Sequence, residues 1–294
     1  PAMTPLSIPR PRTARAFAML VVAVAVAFVY WPGLHGDWGR DDYFQLAFVR
    51  LLDSPWALFV GDHFPVPGSV FRPLGMASMW LGAALFGTDY AAHAASDLAL
   101  HVAVCLALFA LLVRLGLASL PVMLATLLFA LHPAAIGTAL WWSARFDLLA
   151  ALFALLALNA ACAYRDRQQP SALAGVFAAL LAALLSKETG IAAVAAIVLL
   201  WSHWAWTSGV QRMPALRAIA SVCLCTLAWF AWRAVVLGTP ASGLTGATAL
   251  ADAFAHGVVG WLRMAPAYFL HWPRPGASAW VPGAIAMTML VAAT

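Results

Sequence analysis

YAAHAASDLALHVAVCLALFALLVR, residues 90–114, is the stretch that decides the fold. It is apolar almost throughout and ends at a single arginine, Arg114. A run of this length spans a bilayer core of about 30 Å as one helix, so a membrane-spanning helix is expected over 90–112. Three strongly polar, ionisable residues interrupt its interior. His93, Asp97 and His101 recur at i, i+4 and i+8 and share one helical face.

Comparable apolar runs recur along the chain on both sides of this one. Hydrophobic residues make up 64% of the 294 positions and charged residues 9%. Soluble domains carry about 25% charged residues, so that class is excluded. The runs do not alternate in short segments, which excludes a β-barrel. An all-α polytopic membrane protein is expected. The net charge of +5 does not suggest nucleic acid. The arginines sit at segment ends, where they set topology. Cys105, Cys162, Cys223 and Cys225 lie inside apolar runs and read as packing residues.

Arg10, Arg12 and Arg15 precede a first span over 16–34, which places residues 1–15 in the cytoplasm. The following segment, 35–89, is then an outer loop. In it Asp37, Asp41, Asp42, Asp53 and Asp62 outnumber Arg40, Arg50 and Arg72. YFQLAFVRLL within it reads as a short amphipathic helix at the interface. The apolar stretch 73–86 is too short to cross. Arg114, Arg165, Arg167, Arg212 and Arg217 fall on one side only if that stretch stays on the outer face, as a juxtamembrane or re-entrant helix. Spans over 119–131, 148–164, 172–185, 191–206 and 218–237 complete a helix bundle over 90–237. A second outer loop is expected from His132-Pro133 to Phe146. Residues 238–294 hold an outer loop over 239–257 and two further apolar segments. The chain begins without Met and stops inside an apolar run, as a piece of something longer would.

This topology brings Asp41, Asp42, Arg72, His93, His132, Arg145, Asp147, Lys187 and Glu188 to the outer face from four separate polar breaks. Ionisable groups at membrane depth are costly and mark function. Asp41 and Asp42 form a paired carboxylate able to act as a general base, or a solvated loop. Arg72 opens FRPL at 71–74 as a topological anchor or an anion ligand. The eight residues between His93 and His101 rise about 12 Å, so both cannot bind one ion. Asp97 and His101 read equally as polar ties between helices, and His93 is the better site candidate. Trp141 and Trp142 fit an aromatic belt or a stacking surface for a sugar. Lys187, on the outer face, implies an anion to meet or a local pair with Glu188.

Taken in order, these pieces resemble the transmembrane-and-tetratricopeptide-repeat protein O-mannosyltransferases and their bacterial relatives, of the GT-C superfamily. The resembling pieces are Asp41-Asp42, FRPL, YAAHAASDLALH, LLFALHP at 127–133, WWSARFDLLAALF and LLSKETGIA at 184–192. They span about half the chain. The family tends to have Asn at the Asp97 position, and no tetratricopeptide repeats are visible. The resemblance implies one GT-C-like transmembrane domain over 1–294, in a bacterial inner membrane with a periplasmic site. It implies a polyprenyl-phosphate sugar as donor, mannose or another hexose. The acceptor is a hydroxyl, of a protein Ser/Thr or of a glycan or lipid. Asp41 or Asp42 would be the base, and Arg72, Arg145 and Lys187 would hold the donor phosphate. His93, His132, Asp147, Glu188, Asp97 and His101 are further candidates. No metal ligand set is assigned, though the acids would permit a divalent ion. The rival reading is a transporter with a His93–Asp97–His101 proton relay.

Overall fold

The computed structural model describes residues 12–62, 70–207 and 212–238, all within the compact unit Pro1–Pro240. Among the described residues there are helices and no strands. They are α1 (Arg12–Tyr30), α2 (Arg40–Arg50), α3 (Ala57–Val60), α4 (Pro73–Phe86), α5 (Tyr90–Arg114), α6 (Ser119–Ala130), α7 (Ala135–Leu140), α8 (Arg145–Arg167), α9 (Pro170–Ser186), α10 (Ile191–Thr207) and α11 (Arg212–Leu237). Short 3-10 turns follow α1, precede α8 and precede α10. Residues 1–11 of the expected cytoplasmic segment 1–15, and the expected loop and spans over 239–294, lie outside the described residues, while residues 12–15 belong to α1.

Five helices, α1, α5, α8, α10 and α11, counted with the 3-10 turns continuous with α1, α8 and α10, are long and apolar enough to cross a membrane. They carry exposed apolar side chains that a bilayer would cover, such as Phe17, Leu20, Val24 and Phe28 on α1 and Leu224, Leu227 and Val235 on α11. The centre is α8, packed along α5 on one side and α9 on the other. Ala157 and Ala161 of α8 are fully buried with Val176, Leu180 and Leu184 of α9. Small residues at this seam let the backbones approach closely.

α4 starts and stops as its sequence dictates. Pro73 occupies its first turn, and Gly87 ends it with φ +59°. Its 14 residues reach about 21 Å, less than a bilayer core. It lies across the start of α8, where a Cβ on Gly75 would overlap the Phe146 ring. α2 and α4 enclose a small core of Leu46, Val49, Met76, Met79, Trp142 and Phe146.

The connection expected from His132 to Phe146 is largely helical, since α7, a 3-10 turn and the start of α8 occupy it. The helix expected over 119–131 is present as α6, but its 12 residues reach about 18 Å, too short to cross a bilayer core. α6 stops at Ala130, whose carbonyl accepts from the Tyr30 hydroxyl at 2.9 Å and bonds His101 Nε2 at 3.0 Å. His101 lies eleven residues into α5, about 16 Å from Tyr90. α7 then carries the chain up to Leu140, whose carbonyl lies 3.4 Å from the Tyr90 hydroxyl. Pro133 follows α6, consistent with a helix that cannot continue.

Candidate functional site: a buried wall and an open rim

The starts of α5, α8 and α10, the ends of α9 and α11, and the short helices α2, α3, α4 and α7 gather at one end of the bundle. Long-range hydrogen bonds tie them there. The Tyr90 hydroxyl donates to the Gly33 carbonyl at 3.2 Å, and Trp232 Nε1 donates to the Phe59 carbonyl at 3.1 Å.

At this end the two adjacent aspartates face opposite ways. Asp42 is 1% exposed. Its Oδ2 accepts from the Gly39 N–H at 2.8 Å, satisfying a free donor at the start of α2. Its Oδ1 accepts from the Ser143 N–H at 2.8 Å and the Ser143 hydroxyl at 2.5 Å. Three donors pin this carboxylate and fix α2 to the turn before α8. Asp41 is exposed, and it has no hydrogen bond or ion pair among the described residues.

Behind Asp42 lies a second buried contact. Arg145 Nε bonds Asp97 Oδ1 at 2.6 Å, with the two side chains 5% and 1% exposed. Arg145 also donates to the Ser96 hydroxyl and, at 3.4 Å, to the Ser78 carbonyl. The guanidinium lies 5.9 Å from the Trp142 ring centroid. Gly82 permits this approach, since a Cβ there would stand 3.1 Å from an Arg145 terminal nitrogen and 3.2 Å from His93. His93 is fully buried, with its ring centroid 5.0–5.4 Å from those of Trp38, Phe86 and Trp142. Its Nε2 bonds the Gly87 carbonyl at 3.2 Å. Asp42, Ser143, Arg145, Asp97 and His93 thus form a buried polar wall.

Beside it is a rim that stays open. Arg72 Nε bonds Glu188 Oε2 at 2.9 Å, and Lys187 Nζ lies 2.6 and 2.7 Å from the two Asp147 oxygens. These four side chains are 21–40% exposed. Arg72 also sits over the Phe146 ring at 5.4 Å. Lys187 and Glu188 are neighbours in the chain, so the break between α9 and α10 supplies one charge to each pair. Gly190 closes that break. A Cβ there would lie 2.6–2.9 Å from the α9 backbone at Ala183 and Leu184, which cannot move aside.

Most of the charged candidates therefore meet at this end, divided between wall and rim. One does not: His101 is buried beside the end of α6, bonded to the Ala130 carbonyl. His132 follows two residues after that carbonyl. His93, Asp97 and His101 share a face of α5 but serve separate partners: Gly87, Arg145 and Ala130. Arg145, a candidate for holding donor phosphate, is enclosed by Asp97, Ser96 and Ser78. No group of three or more His, Cys, Asp or Glu able to hold a metal is found among the described residues. The sequence reading missed Ser143, Ser96, Trp38, Gly82 and Gly190. Ser96, Ser143 and Gly190 lie inside the resembling motifs, but nothing local reveals their contacts.

The chain matches no protein-family model, no curated protein and no solved structure.

Proposed function

We propose that this protein is an integral membrane glycosyltransferase of the GT-C type, using a polyprenyl-phosphate sugar at the outer face of a bacterial inner membrane. The observation that carries this reading is the pairing of opposites at one end of the bundle. An exposed carboxylate, Asp41, stands at the same end as two half-open ion pairs that present Arg72 and Lys187. The ordered resemblance of the motifs to the O-mannosyltransferases supports the same chemistry.

In the proposed reaction an acceptor hydroxyl attacks the anomeric carbon while Asp41 takes its proton. The new C–O bond forms as the bond from that carbon to the phosphate oxygen breaks, in a single displacement with inversion. The electron pair leaves with the lipid phosphate. That group is a stable anion, so no general acid is required. Arg72 and Lys187 receive it by exchanging their carboxylate partners for phosphate oxygens. Fully exposed ion pairs hold by only about 0–1 kcal/mol and buried ones resist exchange, so partial exposure favours this exchange at the rim. A positioned cation of this kind is worth about 3 kcal/mol to the transition state. Asp42 positions α2, and Arg145 positions the start of α8, without touching substrate. The sugar is mannose or another hexose. The acceptor is a protein Ser/Thr hydroxyl, with a glycan or lipid hydroxyl as the neighbouring case.

The test is transfer from radiolabelled polyprenyl-phosphate mannose in membranes carrying the full chain. Label entering a macromolecule is the expected result, and its position on a gel gives the acceptor class. If no polyprenyl-phosphate sugar transfers, and Asp97→Asn abolishes a solute flux, the transporter reading replaces this one. Separate partners for His93, Asp97 and His101 argue against such a relay.

A further inference from the structure

A second polar feature occupies the far end of the bundle. α8 begins at Arg145, and Arg165 lies twenty residues further, about 30 Å along the helix and one bilayer core away. There, between the last turns of α8 and α10, is a cleft of about 350 Å³. Its lining is Arg165, Asp166, Leu200, His203, Trp204 and Thr207. The volume falls in the lower part of the range of about 300–1,000 Å³ that seats small ligands.

The lining defines what would fit. Arg165 Nε bonds Asp166 Oδ1 at 2.8 Å, with side chains 29% and 47% exposed. That contact engages one nitrogen of the guanidinium and one oxygen of the carboxylate. The remaining donors and acceptor stand side by side, matching a ligand that carries an anion and a cation a few bonds apart. Exposed His203 adds a ring nitrogen beside them. Tyr164 packs on Trp201 and Trp204 at 5.6 and 6.2 Å, and Trp206 is 90% exposed. Trp201 and Trp204 belong to the buried core, so of these residues Trp206 is the one placed as a tryptophan at the headgroup level of a bilayer would be. Leu200 gives the cleft an apolar edge toward the membrane interior. Arg114 and Arg167 end helices at this side and Arg212 begins one, with Arg217 in the second turn of the same helix, which assigns this side to the cytoplasm.

We infer that this cleft binds the headgroup of a zwitterionic phospholipid with a primary ammonium, phosphatidylethanolamine, from the cytoplasmic leaflet. The phosphate meets Arg165 and His203, and the ammonium donates hydrogen bonds to Asp166. A choline headgroup places its charge similarly but has no N–H to donate. An anionic glycerol headgroup has no cation to meet Asp166. The proposal is independent of the transferase reading.

The experiment is native mass spectrometry of the full chain in mild detergent, titrated with phosphatidylethanolamine, phosphatidylcholine and phosphatidylglycerol of matched acyl chains. Phosphatidylethanolamine is expected to be retained about fivefold over phosphatidylcholine, the upper end for an exposed ionic contact. Asp166→Ala, which leaves no side-chain acceptor, should bring that ratio to one, and Arg165→Gln should weaken retention of all three lipids. Equal retention of the three by the wild-type chain overturns the proposal without any variant. So does a preference for phosphatidylglycerol, which would make the cleft an anion site. An unchanged ratio in a folded Asp166→Ala chain overturns it as well.

Discussion

The wall and the rim use the same chemistry, carboxylates paired with arginine or lysine, and differ in access to solvent. In the wall, Arg145–Asp97 and Asp42–Ser143 are sealed within α2, α4, α5 and α8, with every charged group 1–5% exposed. In the rim, Arg72–Glu188 and Lys187–Asp147 are 21–40% exposed. A buried pair that loses one member leaves an uncompensated charge, so it cannot trade partners during a reaction. A half-open pair trades partners at little cost. The wall therefore sets distances, and the rim is the part that can meet a ligand.

That division is broken most severely by removing one half of the buried pair. Asp97→Ala leaves Arg145 unpaired and should cost about 3–5 kcal/mol, read as a lower melting temperature and yield in detergent. Asp97→Asn keeps an acceptor for Arg145 Nε and should lose less. If both variants melt like the wild type, the pair is not a structural tie.

Next in size is the anchor of Asp42. Ser143→Ala removes the hydroxyl bond to that carboxylate and should cost about 1.5–3 kcal/mol in the same melting measurement. Gly190→Ala presses a methyl group against the α9 backbone and should cost about 1–3 kcal/mol. It should also lower transfer, because the break it distorts carries Lys187 and Glu188.

The rim should respond in the opposite way. Lys187→Met and Arg72→Gln are expected to shift stability by less than about 1 kcal/mol. Transfer per folded molecule should fall on the order of 10²–10³-fold in either variant. Full transfer in both would remove the rim from the reaction and leave the wall with no partner in function.

How much of this could be read from the residues follows from the range of each interaction. α4 and α5 were legible because their ends are local: Pro73 and Gly87 bound one, and Arg114 closes the other. The break after α6 was half legible. His132-Pro133 signals the end of a helix but not its depth, which Tyr30 and His101 set from other helices. The split between Asp41 and Asp42 was written in the periodicity. Asp42, Leu46 and Val49 fall at i, i+4 and i+7 and are all buried, so Asp42 shares the apolar face of α2. Its partner was not legible, since Ser143 lies 101 residues away. The same holds for Arg145 and Asp97, 48 residues apart, where either charge alone reads equally as a ligand for a substrate.

The most direct test compares Asp41→Asn with Asp42→Asn for sugar transfer, each normalised to folded protein and accompanied by a melting curve. Asp41→Asn should melt like the wild type and lose transfer by about 10²–10⁴-fold, the contribution of a general base. Asp42→Asn should melt earlier, and its folded fraction should retain more transfer than Asp41→Asn. Wild-type transfer in Asp41→Asn, with a folded but inactive Asp42→Asn, would contradict the assignment of the base to the exposed aspartate and of the anchor to the buried one.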